Sequence, residues 1–287
     1  MYYRLSHWLL LQRSTALVAL VLLASLVPQT GAHAQGGMLE KMRSIFGSPA
    51  PMPPRLVLVF VDISGSIKQD DLDIYQRTYY SIVGPAEGRV GDQTALRPGA
   101  QDGIGDKLVL GTISEATLTR FSPIVVGELR DTGRMIADKR RNEDTLRQLH
   151  AAFGKVKDAP RARRTLILDA LTLAQGEITR DKARKPVIVL LSDMLEDSEN
   201  AGFDFEKKAP TGADAEAIIK RQRERRLLPD LQSAQIFVAG ASASTSTHMQ
   251  AVKEFWLRYF KAANATVEPG MYDRSPIDFA AYWRQQR

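Results

Sequence analysis

The chain of 287 residues contains no cysteine. That excludes disulfide stapling and a lipid-modified cysteine, and leaves any exported domain to rely on its own apolar core. Histidine is nearly as scarce: His7, His33, His150 and His248 are all there are. None is patterned beside a nucleophilic serine, and the GxSxG sequence is missing. The glycine loops that cradle phosphates, GxGxxG and GxxxxGK followed by Ser or Thr, are also absent, as is any internal repeat. Charge of either sign is moderate. The net +6 of the whole chain falls by two, to +4, without Arg4 and Arg13. Such a balance permits contact with anionic lipid, polysaccharide or nucleic acid without demanding it. What remains, 44% hydrophobic and 25% charged residues, is ordinary for a globular protein, and the length permits one large α/β domain with ample core.

The first 34 residues read as a secretory signal. Arg4 and Arg13 are basic, Thr15 to Val27 is an apolar run, and Ala32-His33-Ala34 is a small-x-small site before Gln35. This predicts a periplasmic or secreted protein. The alternative is retention as a membrane anchor, with Leu9 to Leu11 lengthening the apolar run across Arg13. Residues 35–54 end in GSPAPMPP and read as an extended linker.

The most informative stretch is Leu56 to Ser66, LVLVFVDISGS. A continuous apolar, β-branched run of this length fits a strand buried on both faces. Polarity then switches at Asp62, with Ser64 and Ser66 at i+2 and i+4. One carboxylate and two neutral hard oxygens suit Mg²⁺ or Mn²⁺ and not a soft metal; the alternative is that they simply cap the next helix. This stretch resembles the DxSxS motif of the von Willebrand factor A and integrin inserted domains, a metal-ion-dependent adhesion site. Two later stretches extend the resemblance. Thr165, followed by Ala170 and Leu171, matches the family's threonine loop. Asp193, ending the run Val187 to Leu191 and Ser192, matches its second carboxylate. Where the family usually has glycine after that Asp, this chain has Met194. The resemblance covers residues 55–267. It implies a doubly wound, mostly parallel sheet with an antiparallel edge strand and helices on both faces.

The rest of the chain fits that plan. Asp70 to Val83 carries an apolar stripe with Tyr75 and Tyr79, read as core. Gly84 to Gly105 is an aperiodic loop. Lys107 to Glu115 predicts the second strand and Thr117 to Val126 the third, with Phe121 in the core. Helices are predicted over Asn142 to Val156, Leu166 to Ile178, Asp214 to Leu231 and Met249 to Asn264, and strands over Ala234 to Ala241 and Ala265 to Val267. The domain would span 55–268, with 269–287 a tail packing back as a short helix.

In an open sheet, ligands bind at the carboxyl ends of the strands, the edge to which Asp62, Ser64, Ser66, Thr165 and Asp193 belong. Mg²⁺ held by these groups would keep one position free, and the resemblance implies that a protein partner's Asp or Glu fills it. Arg161, Arg163, Arg164, Glu196 and Asp197 would form the rim, the acids exposed. The Gly84 to Gly105 and Asp193 to Phe205 loops would confer specificity. The expectation is a binding module and not an enzyme, since no general base stands beside the site. The alternatives are an assembly subunit of an envelope or transfer complex without metal-dependent binding, and a metal-dependent hydrolase. The basic run Lys220 to Arg226 lacks the aromatic interleaving of a nucleic-acid surface and reads as a solvated helix face. Membrane contact is expected only if the N-terminal segment is uncleaved.

Overall fold

The structure, a computed structural model, describes residues 53–85, 94–99, 104–117, 123–198 and 202–286. The signal segment, most of the linker, the centre of the Gly84 to Gly105 loop, Phe121 and Glu199 lie outside them.

Six strands form one sheet: β1 (Arg55–Asp62), β2 (Ile104–Ile113), β3 (Val125–Arg130), β4 (Lys185–Leu191), β7 (Ala234–Ala239) and β8 (Ala265–Asp273). Their order is β3-β2-β1-β4-β7-β8. All neighbours are parallel except β2 and β3. A separate two-stranded ribbon pairs β5 (Asp197–Ser198) with β6 (Phe203–Asp204). The helices are α1 (Gln69–Val83), α2 (Met135–Lys157), α3 (Ile167–Arg180), α4 (Gly212–Glu224), α5 (Ser246–Ala262) and α6 (Phe279–Gln285).

β1 lies at the centre because every residue of it is buried. Its alternate side chains enter two cores. Leu56, Leu58 and Phe60 join the aromatic face of α5, including Phe255, Trp256, Tyr259 and Phe260. Val57, Val59 and Val61 join Tyr75 and Tyr79 of α1, Leu149 and Phe153 of α2, and Phe279 and Trp283 of α6. Each such large apolar side chain contributes on the order of 1.5–3 kcal/mol by leaving water. At the strand's start Asp106 accepts from Arg55 N (2.7 Å), Arg55 Nε (3.1 Å) and Arg97 N (2.8 Å). The Arg55 guanidinium lies over the Trp283 ring at 3.6 Å, which binds α6 to the sheet.

Four elements depart most from the boundaries expected. The third strand is Val125–Arg130, so it begins where the Thr117 to Val126 stretch was expected to finish. Helix α2 begins at Met135, seven residues before Asn142. There Asp138 accepts from Thr132 N (2.8 Å) and Arg134 N (3.0 Å), fixing a start that no apolar periodicity marks, because Met135 and Ile136 are exposed. Helix α4 stops at Glu224, and Arg226 adopts the left-handed conformation (φ 57°) before the chain reaches Leu231. Strand β8 runs on through Pro269 to Asp273, with a register shift beside β7, so the tail's first residues belong to the edge strand. An edge tolerates proline because one side of its backbone needs no ladder partner.

Candidate metal centre

Asp62 is the last residue of β1 and fully buried. Its Oδ1 accepts Ser64 N at 2.9 Å, and its Oδ2 accepts the Ser192 hydroxyl at 2.7 Å. The first bond curls the DISGS loop back over its own carboxylate. The second ties β1 to its neighbour β4. Ser64 Oγ lies 3.0 Å from Ser66 Oγ, and Ser66 Oγ donates to Asp193 Oδ2 at 2.7 Å. Asp62, Ser64, Ser66, Ser192 and Asp193 therefore form one connected cluster at the carboxyl edge of the two central strands. Ser192 was not among the expected site residues; its place directly before Asp193 was the only signal.

The Thr165 loop lies alongside. Ala162 N donates to Ile63 O at 2.8 Å, and Ser64 pairs with Ala162 in a parallel bridge. Asp197 N donates to Thr165 O at 2.9 Å. The Thr165 side chain is buried, but its hydroxyl makes no hydrogen bond to the cluster. Of the rim residues, Arg161 and Arg163 are exposed, and Arg164 pairs with the half-buried Asp197 at 3.5 Å. Glu196 is a correction. It is not an exposed rim acid but fully buried. Its Oε2 accepts Ile167 N (2.5 Å) and Leu168 N (3.3 Å), so it caps α3 where the helix's own N–H groups have no partner.

Met194 follows Asp193 with φ 69°, the left-handed region in which glycine is unstrained and methionine is not. Three contacts hold it there. Its N donates to Ser192 Oγ at 2.9 Å, its O accepts the Trp256 indole N–H at 2.9 Å, and its side chain is buried in the core. The methionine thus takes a backbone path open to glycine, and Asp193 keeps its place, with Oδ1 accepting Leu195 N at 2.9 Å.

The electrostatics are unbalanced. Burial raises the Asp62 carboxyl above its ordinary range. Asp193 is pushed up to about 7, by burial first and by the Asp62 charge second. The Tyr75 hydroxyl is buried without a hydrogen-bond partner, and the charges of both acids act on it. Among the described residues no lysine or arginine comes within ion-pair distance of Asp62 or Asp193. Arg161 eases the Asp62 charge only from further away. Nor, among the described residues, do three His, Cys, Asp or Glu side chains converge. A cation here would rest on two acids and neutral hydroxyls. The donors fit a small hard ion: adjacent oxygens around octahedral Mg²⁺, at 2.0–2.1 Å from it, stand about 2.9 Å apart. The Ser64–Ser66 and Ser66–Asp193 spacings, 3.0 and 2.7 Å, bracket that value.

The fold has the form of a von Willebrand factor A domain, a doubly wound, mostly parallel sheet with the antiparallel edge that the resemblance implies. No protein-family model matches the chain, and no curated protein sequence does. Among solved structures it is similar to a von Willebrand factor type A protein from Catenulispora acidiphila, at 12% identity and a TM-score of 0.44. That likeness covers 83% of this chain, which spans 42% of the other's length. It is also similar to the manganese-loaded TRAP protein of Plasmodium vivax, at 14% identity and a TM-score of 0.36, over 82% of this chain and 72% of that one. Proximal thread matrix protein 1 of the mussel byssus gives 12% and 0.32, over 81% and 46%. The assignment of the fold rests on the order and directions of the chain's own strands.

Proposed function

We propose that this chain is an exported, non-catalytic protein-binding module whose carboxyl-edge cluster takes up Mg²⁺ or Mn²⁺ and engages an acidic side chain of a protein partner. One observation carries the reading. Two buried carboxylates, with no lysine or arginine paired to them among the described residues, share one cluster in which the Ser64 and Ser66 hydroxyls and Asp193 stand at a spacing that suits a hard dication, while Asp62 is held by the Ser64 N–H and the Ser192 hydroxyl. Asp62, Ser64, Ser66 and Asp193 would hold the ion, with Thr165 supplying a further hydroxyl directly or through water. Bound there, the ion would supply an electrophilic position for a partner's Asp or Glu. The chain's own residues do the rest. Ser192 and the Ser64 N–H hold the Asp62 carboxylate in one orientation, and the Leu195 N–H does the same for Asp193. Arg161 and Arg163 stand exposed beside the site and favour an acidic partner surface.

The test is calorimetric titration with Mn²⁺. Binding is expected to be weak in the protein alone, because hydroxyls add no charge, and abolished in Asp62→Ala and Asp193→Ala. Undiminished affinity in Asp62→Ala would remove that residue from the site. In a pull-down from envelope extract, EDTA and Asp62→Ala should each release the same partner, and Thr165→Ala should weaken its capture. Capture unchanged by both EDTA and Asp62→Ala would leave the assembly-subunit reading in place.

A further inference from the structure

The end of the basic run, Arg223 to Arg226, closes α4, whose connection into β7 lies at the edge opposite the metal centre. In a doubly wound sheet every connection from a helix into a parallel strand lies at the amino edge. Three such connections here carry exposed cations: Lys182 and Lys185 between α3 and β4, Arg223, Arg225 and Arg226 at the end of α4, and Lys261 at the end of α5. None of the six makes an ion pair with another described residue. The acids among them are engaged elsewhere: Asp181 pairs with Arg184 at 2.8 Å, Glu224 stands 3.9 Å from Lys220, and Asp230 accepts the Asn264 amide at 3.0 Å.

Two leucines stand out of this basic ground. Leu227 is 53% exposed and Leu257 38%. The loop that carries Leu227 is stitched to the end of α5 by Leu231 N to Ala263 O (2.8 Å) and Ser233 N to Asn264 O (2.7 Å). Leu257 lies one turn before Lys261 on that helix, so apolar and cationic groups share one rigid joint. No aromatic side chain is exposed among them, which counts against base stacking. The chain also enters the sheet at this edge, at Arg55.

We infer that the amino edge is a docking surface for an anionic lipid bilayer, with Arg223, Arg225, Arg226 and Lys261 on the headgroups and Leu227 and Leu257 at the acyl boundary. The metal edge then faces away from the membrane, toward soluble or opposing partners. This inference stands whether or not the metal reading does.

The absence of cysteine supplies the test, since one introduced thiol is unique. Full-length Leu227→Cys, carrying an environment-sensitive NBD label, is mixed with phosphatidylcholine vesicles with or without phosphatidylglycerol. The label is expected to brighten and shift to the blue on the anionic vesicles and to revert at high salt. The same label at Lys68→Cys, on the metal edge, should not respond. Adding Arg223→Ser, Arg225→Ser and Arg226→Ser to the labelled chain should weaken the response about 100-fold in lipid concentration. All these positions are exposed, and an unchanged melting temperature confirms that the variants fold. A silent Leu227 label overturns the proposal. So does an equal response on neutral vesicles, which the N-terminal apolar run alone would give, or an equal response at Lys68. A response to a single-stranded DNA oligonucleotide with none to vesicles overturns it in favour of a nucleic-acid surface.

Discussion

At the scale of single residues, Met194 shows how a site keeps its geometry through a change of side chain. Its left-handed backbone costs roughly 1–2 kcal/mol relative to glycine. Its buried side chain returns more, since truncating a core Met, Leu or Ile costs about 2–5 kcal/mol. Met194→Gly is therefore expected to lower stability by about 1–3 kcal/mol while leaving Mn²⁺ affinity unchanged, because the conformation that aims Asp193 suits glycine at least as well. Urea denaturation and calorimetry on the same preparation check both parts; a more stable variant would show that the strain outweighs the packing. Ser192 is the other residue of consequence here. One hydroxyl donates to Asp62 and accepts from Met194 N, so it carries the position of the first carboxylate to the backbone that presents the second.

At the scale of elements, the site is two loops sewn to a helix. Glu196, three residues after Asp193, caps α3 immediately after Thr165, and the Asp197 N–H and the Arg164–Asp197 pair close the same seam. Glu196→Ala would leave buried N–H groups of Ile167 and Leu168 without a partner, a loss of about 1–3 kcal/mol. It should also loosen the Thr165 loop. The variant is expected to melt earlier and to exchange the amides of 165–168 faster than those of the distant β7; uniform exchange would mean the seam holds without it. This part of the site was hidden in the sequence. Glu196 and Asp197 read as exposed acids, and only the folded chain turns Glu196 inward onto a helix start. β1 and β4 were legible for the opposite reason: strands buried on both faces leave unbroken apolar runs, and the polar switch at Asp62 and at Ser192 marks where they surface. The start of α2 was not legible, because its first turn exposes Met135 and Ile136 and is held by the Asp138 carboxylate rather than by an apolar stripe. Nor was the end of α4, where the basic run carries on past the last helical residue.

For the whole molecule, the buried acids tie stability to pH and to metal. In the metal-free protein Asp193 titrates near 7, against an ordinary value of 3.8. Between those values the folded chain holds a proton that the unfolded chain has released. Stability must therefore fall as pH rises through that window. Asp62 and Glu196, both raised by burial, act in the same direction. The acids with lowered values, among them Asp138, Asp204 and Asp214, lose their contribution only below the ordinary carboxylate range, outside the window. His150 opposes the trend: partial burial lowers its value, so its contribution grows as pH rises. Comparison with Asp193→Asn cancels the histidine and isolates the site. In EDTA, wild-type protein is expected to melt at a lower temperature at pH 8 than at pH 5, and this drop should be smaller in Asp193→Asn. Adding Mg²⁺ should raise the wild-type midpoint more at pH 8, where no proton competes for the carboxylates, and leave Asp193→Asn nearly unmoved. A wild-type chain whose metal-free midpoint rises from pH 5 to pH 8 as steeply as that of the variant would show that Asp193 carries no such proton.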